Sequence, residues 1–300
     1  MRGYRVYQVD AFTKEKFLGN PAGVVPDADG LADAEMQAIA RELGNPETAF
    51  VLSPDAPDHD VRVRFFTPTT EVPSCGHATI AAHYVRAVEE ALPSCTVVQK
   101  IGAGILPVDV VREDDDYRIR MTQGRIEFGE PFATKQVEQI LDALGLASDD
   151  LDPRCPVRIV STGHSKVLVG IRSRKTLAGL RTSLGTLKEI SRRIGCNGYY
   201  VFTLEPEADD IFAHGRMFAP AIGISEDPVT GNANGPLGAY VIEHGLADAV
   251  EGRLSFRARQ GEAMGRPGTV EVDVEVKDSK PTLVRVTGQA VIVLRSEIEI

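Results

Sequence analysis

No uninterrupted apolar stretch in these 300 residues approaches the ~20 that a membrane-crossing helix needs, which excludes a helical membrane span. The amino terminus, Met1 to Phe12, has no long apolar run behind its basic residues and does not read as a signal peptide. Cysteine is scarce. Cys75, Cys95, Cys155 and Cys196 form no Cys-x-x-Cys pair, a pattern that fits reduced thiols in a cytoplasm. The histidines are scattered, and His77 and His83 have the wrong spacing for one helix face, so no metal site is expected. Basic charge is also short: 33 Lys and Arg against 43 Asp and Glu leave a net charge of −10. Nucleic acid and anionic membrane surfaces would be repelled, so neither is an expected partner. A small anionic metabolite fits, because a local pocket can reverse the overall field. There is no low-complexity tract and no long linker.

What is present is a globular composition, 43% hydrophobic and 25% charged, and a pattern that occurs twice. Phe66 and Pro68 of Phe65-Phe66-Thr67-Pro68 match Phe218 and Pro220 of Arg216-Met217-Phe218-Ala219-Pro220 at one offset, 218 − 66 = 152 and 220 − 68 = 152. Cys75-Gly76-His77-Ala78-Thr79 lies over Thr230-Gly231-Asn232-Ala233-Asn234 at 231 − 76 = 155. Upstream, Met36, Ile39 and Leu43-Gly44 fall on Leu187, Ile190 and Ile194-Gly195 at 195 − 44 = 151. Strand-like runs follow, Thr48-Ala49-Phe50-Val51 and Tyr199-Tyr200-Val201-Phe202. The chain therefore reads as two homologous halves of ~150 residues each, large enough for separate cores. In this register Glu47 meets Gly198. A carboxylate kept by one copy only, at a helix-to-strand junction, points to function.

Tyr4 to Thr13 reads as a strand, Phe17-Leu18-Gly19-Asn20-Pro21 as a turn, and Ala22 to Val25 as a second strand. Asp33 is the expected N-cap of a helix whose Met36, Ile39, Ala40 and Leu43 follow the i, i+3, i+4, i+7 pattern, with Gly44 ending it. Val61 to Phe66 alternates as a strand. A helix from about His77 to Val88 is small or apolar nearly all round, which places it in the middle of a domain. The second half repeats this with strand-like residues from Val157 to Ile171 around a Thr162-Gly163-His164 turn, an amphipathic helix over Thr182 to Ile194, and a small apolar helix over Ala233 to Ile242. Pro236 is expected in the first turn of that helix. The boundary is expected within Gln123 to Glu130, where Gly124 and Gly129-Glu130-Pro131 interrupt the strand pattern, giving halves 1–124 and 125–300, with the last strand able to return to the first half.

Both central helices begin at a glycine in a tight turn, Cys75-Gly76-His77 and Thr230-Gly231-Asn232. Brought face to face by pseudo-two-fold symmetry, their N-termini would make a cleft with two partly positive ends that suits a carboxylate, held by backbone N–H groups of Gly76, His77, Gly231 and Asn232.

The chain resembles the PhzF-like proteins, related to the phenazine-biosynthesis isomerase, within the diaminopimelate-epimerase fold group. The resemblance is carried by Val9-Asp10-Ala11-Phe12-Thr13, Gly19-Asn20-Pro21-Ala22, Glu47-Thr48-Ala49-Phe50-Val51, Cys75-Gly76-His77-Ala78-Thr79, Glu226-Asp227-Pro228-Val229-Thr230-Gly231, and Gln260-Gly261 with Met264-Gly265-Arg266-Pro267-Gly268. It implies an α+β fold of two pseudo-symmetric domains, each a curved mixed sheet wrapped round a central helix. It also implies a cofactor-independent isomerase without metal, often homodimeric, acting on a small carboxylate-bearing metabolite. Glu47 falls on the family's acid/base, and His77 and Asp227 fall beside the substrate. Asn20, Gly76, Ala78, Gly231, Asn232 and Ala233 fall on its binding segments. A protonated imidazole at a helix start opposes the dipole, so His77 is expected as a neutral hydrogen-bonding ring. Asn45-Pro46 and Asn232 depart from the family's pattern, which keeps a serine before the Glu-Thr-Ala segment and a small hydroxyl after Thr-Gly.

Two other functions are compatible with these residues. One is a non-catalytic small-molecule-binding homologue. The other is an epimerase or racemase of small amino or hydroxy acids. Racemases of this fold group use one thiol from each half, but Thr230 stands where the second thiol would be, and its hydroxyl is too weak an acid. Cys75 is then expected as a small buried apolar residue.

Overall fold

The computed structural model describes residues 2–196, 198–206 and 210–300. The chain divides into two compact units, Met1–Thr122 with Thr287–Ile300, and Gln123–Val286.

The first unit contains β1 (Gly3–Ala11), β2 (Asn20–Val25), α1 (Asp33–Leu43), β3 (Glu47–Leu52), β4 (Val61–Phe66), β5 (Glu71–Val72), α2 (Gly76–Glu90), β6 (Cys95–Ile101), β7 (Gly104–Glu113) and β8 (Asp116–Thr122). β1 and β2 are antiparallel, β2 and β3 parallel, β3 and β4 antiparallel. The other edge of β4 is shared. Phe65 and Phe66 pair with β5, while Val61 and Arg62 pair with β6 in parallel. β7 and β8 continue as a meander. The mixed sheet follows from the connections, since each parallel pair is joined by a helix crossing over. Both faces are covered. On one, Met36, Ile39 and Ala40 of α1 join Tyr4, Val6, Val25, Phe50, Leu52 and Phe66 in a core. On the other lies α2, packed against β1, β2, β3, β7 and β8, so that the sheet wraps it. Every residue from His77 to Val85 is buried, as its all-round small and apolar sequence requires.

The second unit contains β9 (Ile126–Pro131), α3 (Thr134–Leu144), β10 (Arg158–Thr162), β11 (Ser165–Ile171), α4 (Arg174–Ala178), α5 (Leu184–Ile194), β12 (Tyr199–Thr203), β13 (Ile211–Ala219), β14 (Ile224–Asp227), α6 (Gly231–Glu243), β15 (Arg253–Gln260), β16 (Gly268–Lys277) and β17 (Lys280–Gly288), whose last two residues fall in the first unit. Its topology is that of the first unit: β10 and β11 antiparallel, β11 and β12 parallel, β12 and β13 antiparallel, and β13 flanked by antiparallel β14 and parallel β15. The repeat register is physical. Thr48 pairs with Phe66 and Tyr199 with Phe218, the same offsets of 151 and 152 that align the sequences. The terminal strand β18 (Ala290–Glu299) runs antiparallel to β1 and belongs to the first unit, as β9 runs antiparallel to β10 in the second. The α+β architecture with a mixed sheet around a central helix is therefore the observed one.

Three local expectations are corrected. The N-cap of α1 is Ala32, not Asp33, because Glu35 reaches back to accept the Ala32 N–H at 2.7 Å. Pro236 lies beyond the first turn of α6, because the helix begins at Gly231, so the ladder omits the bond to the Asn232 carbonyl. Gly129-Glu130-Pro131 closes β9 instead of interrupting it. Among the described residues no helix is long and apolar enough to cross a membrane.

Candidate functional site

In the first unit, Gly44 ends α1 in the left-handed conformation at φ 66°, which turns the chain into β3 within two residues. Glu47 is the first residue of β3 and pairs with Ala22 of β2. Cys75 caps α2 in an extended conformation, φ −152° and ψ 119°, and His77 is the second helical residue. These loop ends bring three side chains together. His77 Nε2 lies 3.3 Å from Glu47 Oε2, with the two side chains only 8% and 13% exposed. His77 Nδ1 lies 3.5 Å from Cys75 Sγ, and the thiol hydrogen-bonds the Glu47 carboxylate.

Burial pushes the Glu47 carboxyl above the ordinary carboxylate range, and the bond from Cys75 pulls it only part of the way back. That environment suits a group which must both take and give a proton. One donor atom from each of Glu47, Cys75 and His77 lies within 4.8 Å of the others, so the trio also has a donor set that a divalent zinc ion accepts. The expectation against a metal rests on the spacing of His77 and His83, which does not register a cluster assembled from three chain segments. Sequence reasoning places Cys75 among the apolar residues. It is buried, but its sulfur faces the two ionisable side chains, and only the extended cap conformation reveals this.

The other predicted residues of this unit lie around the trio's supports. Asn20 is the first residue of β2, fully buried, two positions before Ala22. It follows Gly19, whose φ of +62° suits glycine and where any Cβ would collide with the Ala11 carbonyl oxygen, so only glycine fits. Gly76, His77 and Ala78 carry the N–H groups that precede the helix ladder, whose first bond runs from Thr79 N–H to Cys75 O at 3.0 Å. The Thr79 hydroxyl donates to the same carbonyl at 2.7 Å.

In the second unit, Asp227 ends β14 and accepts a bond from the Thr230 hydroxyl. Asn234 takes the part of Thr79, its Nδ2 donating to Thr230 O at 2.9 Å, and Tyr200 Oη donates to Asn234 Oδ1 at 2.6 Å. The Ala233 N–H is engaged by Thr230 O at 3.1 Å, so the groups ahead of this ladder are those of Gly231 and Asn232. Asn232 Oδ1 accepts from Gln123 Nε2 at 3.3 Å. Three residues that sequence reasoning leaves without a role organise this turn. Gln260 Oε1 accepts the Thr230 N–H at 3.1 Å, and its Nε2 donates to Asp227 O at 2.7 Å. Gly261 follows at φ +91°, where a side chain would meet the carbonyls of Arg266 and Pro228. Gln123 wedges against Gly235 and accepts from Thr162 Oγ1 at 2.7 Å. The Gln260-Gly261 pair in the sequence is the available signal.

Residues 9–296 match the model of the phenazine biosynthesis-like protein family. An uncharacterized isomerase of Clostridium acetobutylicum is 57% identical over 298 residues, 99% of each chain. An uncharacterized isomerase of Escherichia coli is 47% identical over 293 residues, 98% of this chain and 97% of that one. Among solved structures, a phenazine biosynthesis protein of the PhzF family from Bacillus anthracis aligns with a TM-score of 0.89 and 33% identity over 100% of both chains.

Proposed function

This chain belongs to the phenazine biosynthesis-like protein family, and from that premise we propose that it is a cofactor-independent isomerase moving a proton at carbon on a small carboxylate-bearing metabolite. The observation that carries the reading is the desolvated Glu47 in contact with His77 at the start of α2. Glu47, as carboxylate, takes the proton from the substrate carbon and, as acid, can return one. His77 orients it and hydrogen-bonds substrate. The N–H groups of Gly76, His77 and Ala78 hold the substrate carboxylate, with Asn20 lining this side. In the second unit the turn before α6 offers Asp227, Gly231, Asn232 and Ala233 for ligand binding, with Asp227 its ionisable group. Retention of Glu47, His77 and Asp227 together speaks against a non-catalytic binding homologue.

A second reading is favoured by one observation: the Cys75 sulfur faces Glu47 and His77. It is an epimerase working with one thiol and one carboxylate.

The test is incorporation of solvent deuterium into a panel of carboxylates whose α-hydrogen is activated by a carbonyl or an alkene, followed by NMR. Glu47→Gln preserves size and hydrogen bonding but not ionisation. It should lower exchange and turnover by ~10²–10⁴-fold with little change in substrate affinity. Undiminished exchange in Glu47→Gln would overturn the proposal, and inversion at carbon without double-bond movement would select the epimerase.

A further inference from the structure

Glu47, Cys75 and His77 all belong to the first unit, where two short stretches of chain bring them together. Glu47 is set by the pairing of β3 with β2. Cys75 and His77 are set by the start of α2, where the Thr79 hydroxyl holds the Cys75 carbonyl at 2.7 Å. One donor atom from each of the three lies within 4.8 Å of the others. The central atom is His77 Nε2, 3.3 Å from Glu47 Oε2 and 4.0 Å from Cys75 Sγ. A tetrahedral ion with bonds of ~2.0–2.3 Å holds its ligand atoms roughly 3.3–3.6 Å apart. The oxygen and nitrogen already stand at that separation, and a turn of the Cys75 side chain about its Cα–Cβ bond brings the sulfur to it.

We propose that this trio is a reversible zinc site, and that a zinc ion held there switches off the proton transfer assigned to Glu47. The binding stands on the donor geometry, whereas the loss of activity rests on the function proposed above. The Cys75 thiol already hydrogen-bonds the Glu47 carboxylate, and the ion takes the place of that bridging proton. The S–H bond breaks, its proton leaves to solvent, and sulfur, carboxylate oxygen and imidazole nitrogen each donate a lone pair to the metal. Two anionic ligands and one neutral ring cancel the double positive charge. That balance matters where the side chains of Glu47 and His77 are only 13% and 8% exposed, because an uncompensated ion would be costly to desolvate. Cys75 caps the partly positive end of α2, which favours its thiolate, and a neutral complex feels little of that dipole. Burial and Cys75 are the causes that act on the Glu47 carboxyl, so among the described residues no lysine or arginine charge opposes a cation there. A thiolate with an imidazole selects zinc over magnesium and calcium.

Metal and proton transfer exclude each other, because the carboxylate that binds the ion is the one that takes the substrate proton. Zinc is thus an inhibitor at this site, and chelation restores the base.

Metal-stripped, untagged protein titrated with Co²⁺ should take up one equivalent, showing the visible bands of a four-coordinate ion and a near-ultraviolet sulfur-to-cobalt band, and Zn²⁺ should erase both. The sulfur band is read in the parent protein, so it stands even where a substitution harms folding. Cys75→Ser should abolish it and Cys95→Ser should leave it intact. His77→Asn and Glu47→Gln, checked for folding by circular dichroism, should weaken zinc binding by at least ~10²-fold. Cobalt uptake without the sulfur band, or a band surviving in Cys75→Ser, would overturn the inference. The second arm adds Zn²⁺ to the deuterium-exchange assay with the carboxylate panel. Exchange should fall with the same zinc dependence as the binding and return with EDTA. Exchange that persists at saturating zinc while Glu47→Gln is inactive would also overturn the inference. Exchange that persists in both would remove Glu47 as the base, and the inhibition with it, while the cobalt spectrum still decides the metal site.

Discussion

His77 Nε2 and Glu47 Oε2 are 3.3 Å apart in a site where neither side chain exceeds 13% exposure. The closeness of an imidazole does not offset the loss of water around the carboxylate, since burial is the leading cause of the raised Glu47 pKa. A carboxyl raised by folding binds its proton more tightly in the native state. It therefore favours folding most below the unfolded carboxyl value of ~4.3, and that contribution is lost as pH rises through the folded value. Glu47→Gln should consequently raise the melting temperature at pH 7, with the gain shrinking toward zero near pH 4. Thermal unfolding of both proteins across this range checks it, and an equal melting temperature at pH 7 would contradict the desolvation argument.

Cys75 is the discriminating side chain. Its thiol bond lowers the Glu47 pKa, so Cys75→Ala should move that carboxyl upward and shift the acidic limb of the rate profile to higher pH. Under proton transfer by Glu47 the variant keeps most of its maximal rate. Under one-thiol epimerisation it loses activity as completely as Glu47→Gln. A carboxyl-¹³C titration of Glu47 in the two proteins reads the shift without any substrate.

Gln260 ties the Asp227 to Thr230 turn from both sides, accepting from Thr230 N–H and from Asn234 Nδ2 at 3.1 and 3.2 Å while donating to Asp227 O at 2.7 Å. Gln260→Leu keeps the volume but leaves several buried polar groups without partners. Each such group costs ~1–3 kcal/mol, so the variant should lose several kcal/mol in urea unfolding. A loss below ~1 kcal/mol would mean that the turn is held by Thr230 and Asp227 alone.

The parts of this molecule that are legible in the sequence are those encoded by periodicity and by backbone conformation. Met36, Ile39 and Ala40 before Gly44 specify α1 and its buried face, and Phe66 and Phe218 set a register that the β-ladders reproduce. What escapes depends on where side chains point once distant segments meet. Cys75 reads as a small buried residue from its neighbours, yet an extended cap turns its sulfur toward Glu47 and His77. Ala32 displaces Asp33 as cap because a capping contact from Glu35 outweighs the identity of the cap residue itself.

His83, in the centre of α2, makes the first unit sensitive to acid. It is fully buried, its Nε2 lies 3.0 Å from Gln99 Oε1, and burial pushes its pKa down to about 4. The unfolded chain binds a proton on this histidine near pH 6.5, and the folded one resists until about 4. Between those values the unfolded state holds more protons, so stability falls as pH falls, by an order of ~3 kcal/mol over the whole window for this residue. His83→Gln retains a hydrogen-bonding group toward Gln99 but cannot charge. It should be less stable than the parent at pH 7, because its packing is altered, and should lose less stability between pH 6.5 and 4. Urea unfolding of both proteins at pH 7, 5.5 and 4 measures the two slopes. Parallel slopes would show that the acid sensitivity of this unit arises from other groups.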